Sequence, residues 1–457
     1  MIDEAKKDEV QFDEEQLRGL LQTDSPTTFR DQYLSLHPYD QAQFYEKVEP
    51  DIRQIIYQYL SPKEMAEIFE ALDLDDNEYK GFLEEMSPDY AAVMIAEMYT
   101  DDAVDVLNEL DKDQISHFLQ IMDNESAQDI KDLLHYEEYT AGSIMTTEYV
   151  AIPENSTVRS AMTILRNAAP EAETIYYIFV VDDTNHLTGV ISLRDLIIAE
   201  EDTLIHEIMN ERVVSVNVTD DQEDVAQIMK DYNFLAVPVI NSKNEMLGII
   251  TVDDIIDVID EEASEDYSKL AGVSDMDNFD TNPFAAAKKR LPWLVVLLFL
   301  GMLTANLIDL FTGTLEKVAL LAAFIPLIGG TSGNSGTQAL AVAVRGIATG
   351  DVEEQSKLKL IFRELVTGMI MGLVCGVVAF CIVYFWQHTL LLGILVGVAI
   401  CCSIVVATLA GSFIPLLMHR LNIDPAVASG PFITTLNDIT SIVIYLGIAT
   451  MFINHLM

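Results

Sequence analysis

The feature that most constrains this chain is a series of five apolar segments in its last two-fifths. They occupy residues 291–311, 318–344, 365–386, 389–418 and 425–454. About 20 residues of helix suffice to cross the hydrocarbon of a bilayer, so each segment is long enough to do so. The sequence therefore predicts an α-helical membrane domain with five transmembrane helices over residues 288–457.

The part of the chain before these segments is strongly acidic. Residues 1–280 carry 65 Asp and Glu against 17 Lys and Arg, a formal charge of −48, whereas residues 281–457 carry 8 against 9. Such a surface repels the phosphates of nucleic acids and attracts cations. We therefore expect no nucleic-acid partner, and we expect a soluble acidic module attached to a membrane module.

Basic residues predict how the chain is oriented. The loops at 288–290, 345–363 and 419–420 hold nearly all the Lys and Arg of the apolar half, while those at 312–317 and 387–388 hold one. Because cytoplasmic loops of membrane proteins are enriched in Lys and Arg, the first set lies inside. This predicts a multi-pass protein of the plasma (inner) membrane, with the N-terminal module cytoplasmic and the C-terminus outside.

Residues 1–138 are predicted to form an all-α domain. Helix starts recur every 12–14 residues, and Ser61-Pro62 and Ser87-Pro88 combine a capping serine with proline at the first helical position. Short helices repeated in this way favour a superhelical stack. Asp101 and Asp105 lie four residues apart on one helix face, which fits either a solvated surface or a cation site.

Residues 139–260 contain an internal α/β repeat. The sequence Gly-Val-Ile-Ser-Leu-Arg-Asp-Leu at 189–196 recurs as Gly-Ile-Ile-Thr-Val-Asp-Asp-Ile at 248–255. Strand-like and helix-like runs alternate in each copy. This resembles a tandem pair of CBS (cystathionine-β-synthase-type) domains. The resemblance implies a nucleotide-binding role for the hydroxyl and acidic side chains of the repeated turn, with Arg194 near a phosphate. The residues concerned are Ser192, Arg194, Asp195, Thr251 and Asp254.

Residues 261–287 are predicted to be an acidic connecting helix, and the acidic run starts earlier, at Asp253. Asp254, Asp257 and Glu261 follow a helical spacing, and each like-charged pair four residues apart costs about 0.2–0.5 kcal/mol. Two interpretations remain open: a solvated acidic helix, or a helix docked through bound divalent cations.

Two membrane segments carry polar groups that lipid does not favour. Asp438 is the only charged side chain of residues 425–454, and a charge at that depth costs about 2.5–3.5 kcal/mol on insertion scales. Pro326 to Gln338 contains four glycines and several polar side chains. This stretch either packs closely on another helix or lines a wet cavity. The predicted ion path consists of Asp438, Asn334, Gln338, Gly330 and Gly333.

The order of modules and these motifs resemble the MgtE family of magnesium channels over nearly the whole chain. The specific motifs are 326–338, Asp424-Pro425 and 431–441. Two positions depart from the pattern we expect of that family: Ser332, where glycine is common, and Asn233, where relatives can have an acidic ligand. The second departure weakens one possible sensor position.

The resemblance implies a homodimer whose pore runs along the two-fold axis, with Asp438 of each subunit facing the ion. It also implies that cytoplasmic Mg²⁺ binds to the acidic domains and closes the pore, and that ATP is a further ligand. The implied Mg²⁺ ligands are Asp101, Asp105, Asp221, Glu223, Asp254, Asp257, Glu262, Glu265, Asp266 and Asp424.

The leading prediction is therefore a Mg²⁺-selective channel or transporter for magnesium uptake, inhibited by cytoplasmic Mg²⁺. An ion- or proton-coupled divalent cation exchanger would use the same residues, with Asp438 titrating during a cycle. A membrane-anchored nucleotide sensor without transport would need neither Asp438 nor the glycine-rich segment. An enzyme is not expected, because no nucleophile–base pair, phosphate loop or metal-hydrolase spacing occurs.

Overall fold

The computed structural model describes residues 14–22, 25–72, 78–273, 283–349, 357–421 and 423–452. The chain divides into two compact units, Met1–Val258 and Ile259–Met457, which are considered separately below.

The described residues of the first unit begin with ten short helices. They are α1 (Glu14–Gln22), α2 (Pro26–Tyr33), α3 (Pro38–Lys47), α4 (Pro50–Tyr59), α5 (Pro62–Phe69), α6 (Glu78–Glu85), α7 (Pro88–Ala96), α8 (Thr100–Asn108), α9 (Lys112–Ile121) and α10 (Asn124–Leu133). Ser61 caps α5 in a complete capping box with Glu64, and Ser87 caps α7. Because α5 packs on both α3 and α7, and α7 on α9, the helices form a staggered stack. The predicted helical N-domain is confirmed.

The internal repeat folds into two three-stranded sheets of the same topology. The first contains β1 (Ala151–Pro153), β2 (Tyr177–Val181) and β3 (Leu187–Ser192), with α11 (Val158–Ala168), α12 (Leu193–Ile198) and α13 (Ile205–Ile208). The second contains β4 (Val216–Asn217), β5 (Ala236–Ile240) and β6 (Met246–Thr251), with α14 (Gln222–Tyr232). In each sheet the first strand pairs parallel to the second, and the second antiparallel to the third. The tandem α/β pair is therefore confirmed.

The acidic connector belongs to a helix that begins earlier than the sequence predicts. Helix α15 runs over Val252–Ala271, so it starts directly after β6. Residues 274–282 of the predicted connector lie outside the described residues, and its last residues, 283–287, begin the next helix.

Where it is described, the second unit contains the end of α15 and six further helices. They are α16 (Pro283–Asp309), α17 (Thr312–Lys317), α18 (Ile325–Ala348), α19 (Lys357–Gln387), α20 (Leu390–Arg420) and α21 (Gly430–Met451). Two 3₁₀ turns, Ala319–Phe324 and Pro425–Val427, precede α18 and α21.

Among the described residues, α16, α19, α20 and α21 are long and apolar enough to cross a membrane. They match four of the five predicted segments. The remaining segment, 318–344, forms the 3₁₀ turn and most of α18. At 24 residues α18 is about 36 Å long, but its glycines and polar side chains make it less apolar than the other four. Its role as a fifth span remains a prediction.

Small residues allow the membrane helices to pack closely. Helix α19 lies against α20, and a Cβ built on Gly376 would lie 2.6 Å from the carbonyl oxygen of Gly397. Helix α18 packs against both α20 and α21. Since lipid tails are as apolar as the helices, such close contact replaces the hydrophobic effect as the main source of helix association.

Candidate ion path and acidic clusters

Asp438 lies on α21 beside the glycine-rich face of α18. Its side chain is half-buried, and a Cβ built on Gly329 would lie 2.8 Å from its Oδ1 atom. One turn earlier, Thr434 Cγ2 occupies the corresponding position at Gly333. Because Gly329 and Gly333 have no side chains, Asp438 and Thr434 can lie directly against the backbone of α18. Gly329 is a site residue that the sequence prediction missed.

The structure does not bring all the predicted ion-path residues together within one chain. Gly333 faces α21, whereas Asn334 and Gln338 line a cavity of about 420 Å³ between α18, α19 and α20. Gly330 is exposed, and a Cβ built there would contact nothing within 4 Å. The amide pair and Asp438 thus lie on different faces of α18.

Asn437, next to Asp438, was also missed by the sequence prediction. Its side chain is fully buried, and neither of its amide atoms has a hydrogen-bond partner among the described residues. Nearby, Ser332 and Ser441 join α18 to α21 through a hydroxyl–hydroxyl hydrogen bond of 2.5 Å. Polar groups thus run through the contact between the two helices as well as along its edge.

In the first unit, buried carboxylates of α8 and α15 form an acidic cluster. Asp101 is 7% exposed, and its charge interacts with those of Asp102 and Asp254. Carboxylate oxygens of Glu173, Asp253 and Asp254 lie within 4.8 Å of one another, as a shared metal ion requires. Glu173 and Asp253 come from parts of the chain far apart in sequence, so no local motif indicated the pair.

Burial disfavours the charged forms of these carboxyls. Loss of solvent, followed by repulsion from neighbouring acids, raises the pKa of Asp102 to about 8 and that of Glu173 to about 8. Burial likewise raises the pKa of Asp101 well above its ordinary value. Carboxylate oxygens are the ligands that Mg²⁺ prefers, and a divalent cation would relieve this repulsion. The donor set therefore fits Mg²⁺.

The other predicted ligands of this unit lie on surfaces. Asp105 is exposed on α8, and Asp257 is exposed on α15. Asp221 caps α14 by accepting the Glu223 N–H at 2.9 Å. At the other end of α14, Asn233 has a φ of +53°, a left-handed conformation that asparagine adopts readily. The structure thus gives a local reason for asparagine at 233.

The two copies of the repeated turn differ in charge at one position. In the first copy, Ser192 and Arg194 line a cavity of about 580 Å³ together with Tyr176 and Tyr177. Ser192 Oγ donates to Asp195 at 2.6 Å.

In the second copy, Asp253 stands where the first copy has Arg194. Thr251 Oγ1 donates to Asp254 at 2.5 Å, and this turn belongs to the acidic cluster. The first turn therefore suits an anion and the second a cation. The predicted nucleotide residues Thr251 and Asp254 are not among the residues that line the 580 Å³ cavity.

In the second unit, acidic side chains of α15 lie close to the start of α21. Glu265 and Asp424 both bind the ammonium of Lys269, each at 2.6 Å. Burial and the charge of Asp424 raise the pKa of Asp266 to about 6. Glu262, also on α15, is half-buried. Glu265, Asp266 and Asp424 thus lie close together, while their role as Mg²⁺ ligands remains a prediction.

Comparison with known protein families identifies each part of the chain. The MgtE divalent cation transporter family matches residues 325–448, the MgtE intracellular N domain matches 36–139, and the CBS domain matches 141–202 and 205–261. The chain belongs to the MgtE family.

Similar proteins share this family over nearly their whole length. The magnesium transporter MgtE of Enterococcus faecalis is 55% identical over 97% of this chain and 98% of its own. That of Bacillus subtilis is 38% identical, with 94% of each chain covered. The crystal structure of the soluble part of a magnesium transporter is 57% identical, with a TM-score of 0.54 over 55% of this chain and 98% of its own.

Membership in the MgtE family confirms several predictions. The chain is a membrane transporter with an intracellular N-terminal domain, followed by a CBS pair and a helical membrane region. The family is one of transporters and not of enzymes. Its assembly and the roles of individual residues remain predictions.

We expect the stability of the first unit to fall as the pH rises in the absence of divalent ions. The folded-state pKa of Asp102 and of Glu173, each about 8, lies above the ordinary carboxyl value, so the folded state binds more protons. The associated stability is complete below about pH 4 and is lost as the pH rises through about 8. Thermal unfolding of the chain in chelator between pH 6 and 9 measures this.

The matched variant is Asp102→Asn with Glu173→Gln, which removes both titrating groups. It should have a flatter pH profile, and Mg²⁺ should flatten the profile of the unmodified chain. An unchanged slope in the double variant would assign the pH dependence to other groups.

We expect Gly329→Ala to impair transport far more than Gly330→Ala. The new methyl at 329 would lie 2.8 Å from Asp438 Oδ1, whereas that at 330 would contact nothing within 4 Å. Overpacking of this kind costs about 1–3 kcal/mol or displaces the carboxylate. Mg²⁺ flux into proteoliposomes, normalised to folded protein, measures the difference. Equal fluxes would show that the close approach of Asp438 to α18 is not required.

Proposed function

We propose that the chain is a Mg²⁺-selective channel for magnesium uptake, with Asp438 in its ion path. The observation that carries this proposal is the half-buried carboxylate of Asp438 against the glycine face of α18, within a helix that otherwise lacks charge. A charge at membrane depth normally faces a cavity, a partner or an ion path. The magnesium transporters that share 55% and 38% identity with this chain support Mg²⁺ as the cargo.

The chemistry of this region suits a hydrated divalent cation. Mg²⁺ gives up its water ligands reluctantly, so a selective path must hold the ion through its hydration shell. The carboxylate of Asp438 supplies negative charge, and the glycines at 329 and 333 let α21, which carries it, lie close to α18. Outer-shell contacts to water need an acceptor such as this carboxylate at close range.

The surface of the membrane region supports a homodimer. Gly330, Asn334 and Gln338 form an exposed stripe on α18, and none of the residues of α16 is buried. Exposed amides in lipid are costly, so a second copy or water should cover them. A water-filled pore between two copies would give the amides of Asn334 and Gln338, as well as the Asp438 carboxylate, polar partners. In this arrangement the C-terminus lies outside the plasma membrane, by the positive-inside rule.

The decisive experiment is Mg²⁺ flux through the Asp438→Asn variant in proteoliposomes. We expect flux to fall at least about tenfold, because the carboxylate is the charge that holds the ion. Asp309→Asn is the matched control, since Asp309 lies exposed at the end of α16. Undiminished flux through Asp438→Asn would contradict the proposal, and obligatory counter-ion movement would favour an exchanger.

We further propose that cytoplasmic Mg²⁺ closes the pore by binding the acidic clusters. Asp101, Asp102, Asp254 and Glu173 repel one another without a cation, and in the second unit Glu265, Asp266 and Asp424 form a further acidic group. Mg²⁺ that bridges these carboxylates would bind more tightly to the state in which they lie close together, and it would therefore favour that compact state. Asp221 and Glu223 are candidates for weaker, exposed sites.

The sensor proposal is tested by neutralising Asp254, Asp257 and Glu262 together. Channels of this triple variant should stay open at cytoplasmic Mg²⁺ concentrations that close the unmodified protein. A matched control neutralises three exposed acids elsewhere, Asp31, Asp113 and Glu138. If the triple variant closes at unchanged Mg²⁺, the acidic helix is not the sensor.

We propose ATP as a further ligand, at the cavity lined by Ser192 and Arg194. The guanidinium of Arg194 can bind a phosphate, and Tyr176 and Tyr177 offer aromatic surface for the base. We expect Arg194→Ala to weaken ATP binding about tenfold or more, as measured by calorimetry. Arg212→Ala, an exposed arginine of the second copy, is the control. Equal weakening by both variants would indicate nonspecific charge attraction.

A further inference from the structure

The last turn of α15 is attached to the segment that leads into α21. Lys269 Nζ lies 2.6 Å from Asp424 Oδ2 and 2.6 Å from Glu265 Oε1. Side-chain exposures of 27% for Lys269 and 35% for Asp424 show that the pair is partly shielded from solvent. Asp424 also caps the 3₁₀ turn before α21, where its Oδ1 accepts the Ala426 N–H at 2.8 Å.

The backbone beyond Lys269 makes the same attachment. Gly272 has a φ of +74° and ends α15, and the Val273 N–H donates to the Ser268 carbonyl at 3.0 Å. A Cβ built on Gly272 would lie 3.3 Å from Pro431 Cγ, at the start of α21. Leu270 packs against the cluster of apolar residues that contains Ile433 of the same helix. The Lys269 ion pairs therefore lie at a packed junction between the acidic helix and the helix that carries Asp438.

The junction holds more negative than positive charge. Glu265, Asp266 and Asp424 face a single ammonium, and Glu262 adds to the field at Asp266. If the ammonium were withdrawn, the carboxylates of α15 would repel Asp424 across the junction. A cation there therefore stabilises the attachment of α15, and in this structure a side chain supplies it.

We propose that Lys269 is a tethered cation that keeps the acidic helix attached to α21 when Mg²⁺ is scarce. Its ammonium lies between Glu265 and Asp424. A divalent cation that bridged these two carboxylates would occupy the same place, so the ammonium and the cation cannot both be there. Helix α15 then stays attached at low and at high Mg²⁺. The cation at the junction is the Lys269 ammonium at low Mg²⁺ and Mg²⁺ itself at high concentration. The importance of this inference for transport rests on the proposed function. With Lys269 as the cation when Mg²⁺ is scarce, α15 would stay attached to α21, the helix that carries Asp438, at both low and high Mg²⁺.

An exposed ion pair usually contributes little to stability, about 0–1 kcal/mol. The Lys269 pairs differ because one ammonium binds two carboxylates and joins segments 155 residues apart in sequence. Removing it also leaves three carboxylates facing each other at a shielded site, which costs more than losing the pair itself. Those two features make its effect measurable.

The test is amide hydrogen exchange of the full chain in nanodiscs, in chelator and in millimolar Mg²⁺. The reporters are the Gly272 and Val273 amides, which depend on the end of α15. In the unmodified chain they should exchange slowly under both conditions. In Lys269→Met, exchange in chelator should be faster by a factor on the order of ten, and Mg²⁺ should restore slow exchange.

Lys269→Arg keeps a cation and should remain slow in chelator, and Lys243→Met, an exposed lysine of the first unit, is the matched control. Slow exchange of Lys269→Met in chelator would overturn the inference. Fast exchange that Mg²⁺ does not restore would also overturn it, because Lys269 would then be only a structural contact.

A double-mutant cycle with Asp424→Asn identifies the partner. If Lys269 acts on Asp424, the second substitution should accelerate exchange much less in the Lys269→Met background than in the unmodified chain. Independent effects would overturn the pairing. Mg²⁺ flux and its dependence on Asp438 are measured separately, so a failure of the proposed function leaves this exchange result interpretable.

Discussion

The membrane region depends on the close approach of α21 to the glycine face of α18. Gly329 and Gly333 leave room for Asp438 and Thr434, so the only charged side chain of α21 lies directly against the backbone of α18. The same contact turns Gly330, Asn334 and Gln338 to other sides of α18. One packing constraint therefore places the acidic group and also creates the exposed polar stripe that a second copy would cover.

Repulsion between carboxylates has the corresponding role in the soluble part of the chain. Burial of Asp101, Asp102 and Glu173 raises the pKa of each, because water is removed from groups that already repel one another. A fold that accumulates such groups is most stable with a bound cation or with the carboxyls protonated. These buried acids are therefore the groups through which we propose that divalent ions act on the first unit.

The two copies of the repeat show how one turn can acquire two chemistries. Both copies place a hydroxyl and an acid at the end of the third strand, as Ser192 with Asp195 and Thr251 with Asp254. Replacement of Arg194 by Asp253 at the equivalent position reverses the local charge. The first copy lines a cavity suited to an anion, and the second contributes to a cluster of carboxylates whose spacing would fit a cation.

The order of domains, the repeat and the apolar helices followed from sequence alone, because hydrophobic length, periodicity and charge are local properties. Asp438 was identified in the same way, since a lone charge in an apolar segment is visible without a structure. Glu173, Gly329 and Lys269 were not, because their roles depend on partners distant in the chain: Asp254, Asp438 and Asp424. Likewise, only packing decided that Asn334 and Asp438 lie on different faces of α18, since spacing along one helix does not show which neighbour each face meets.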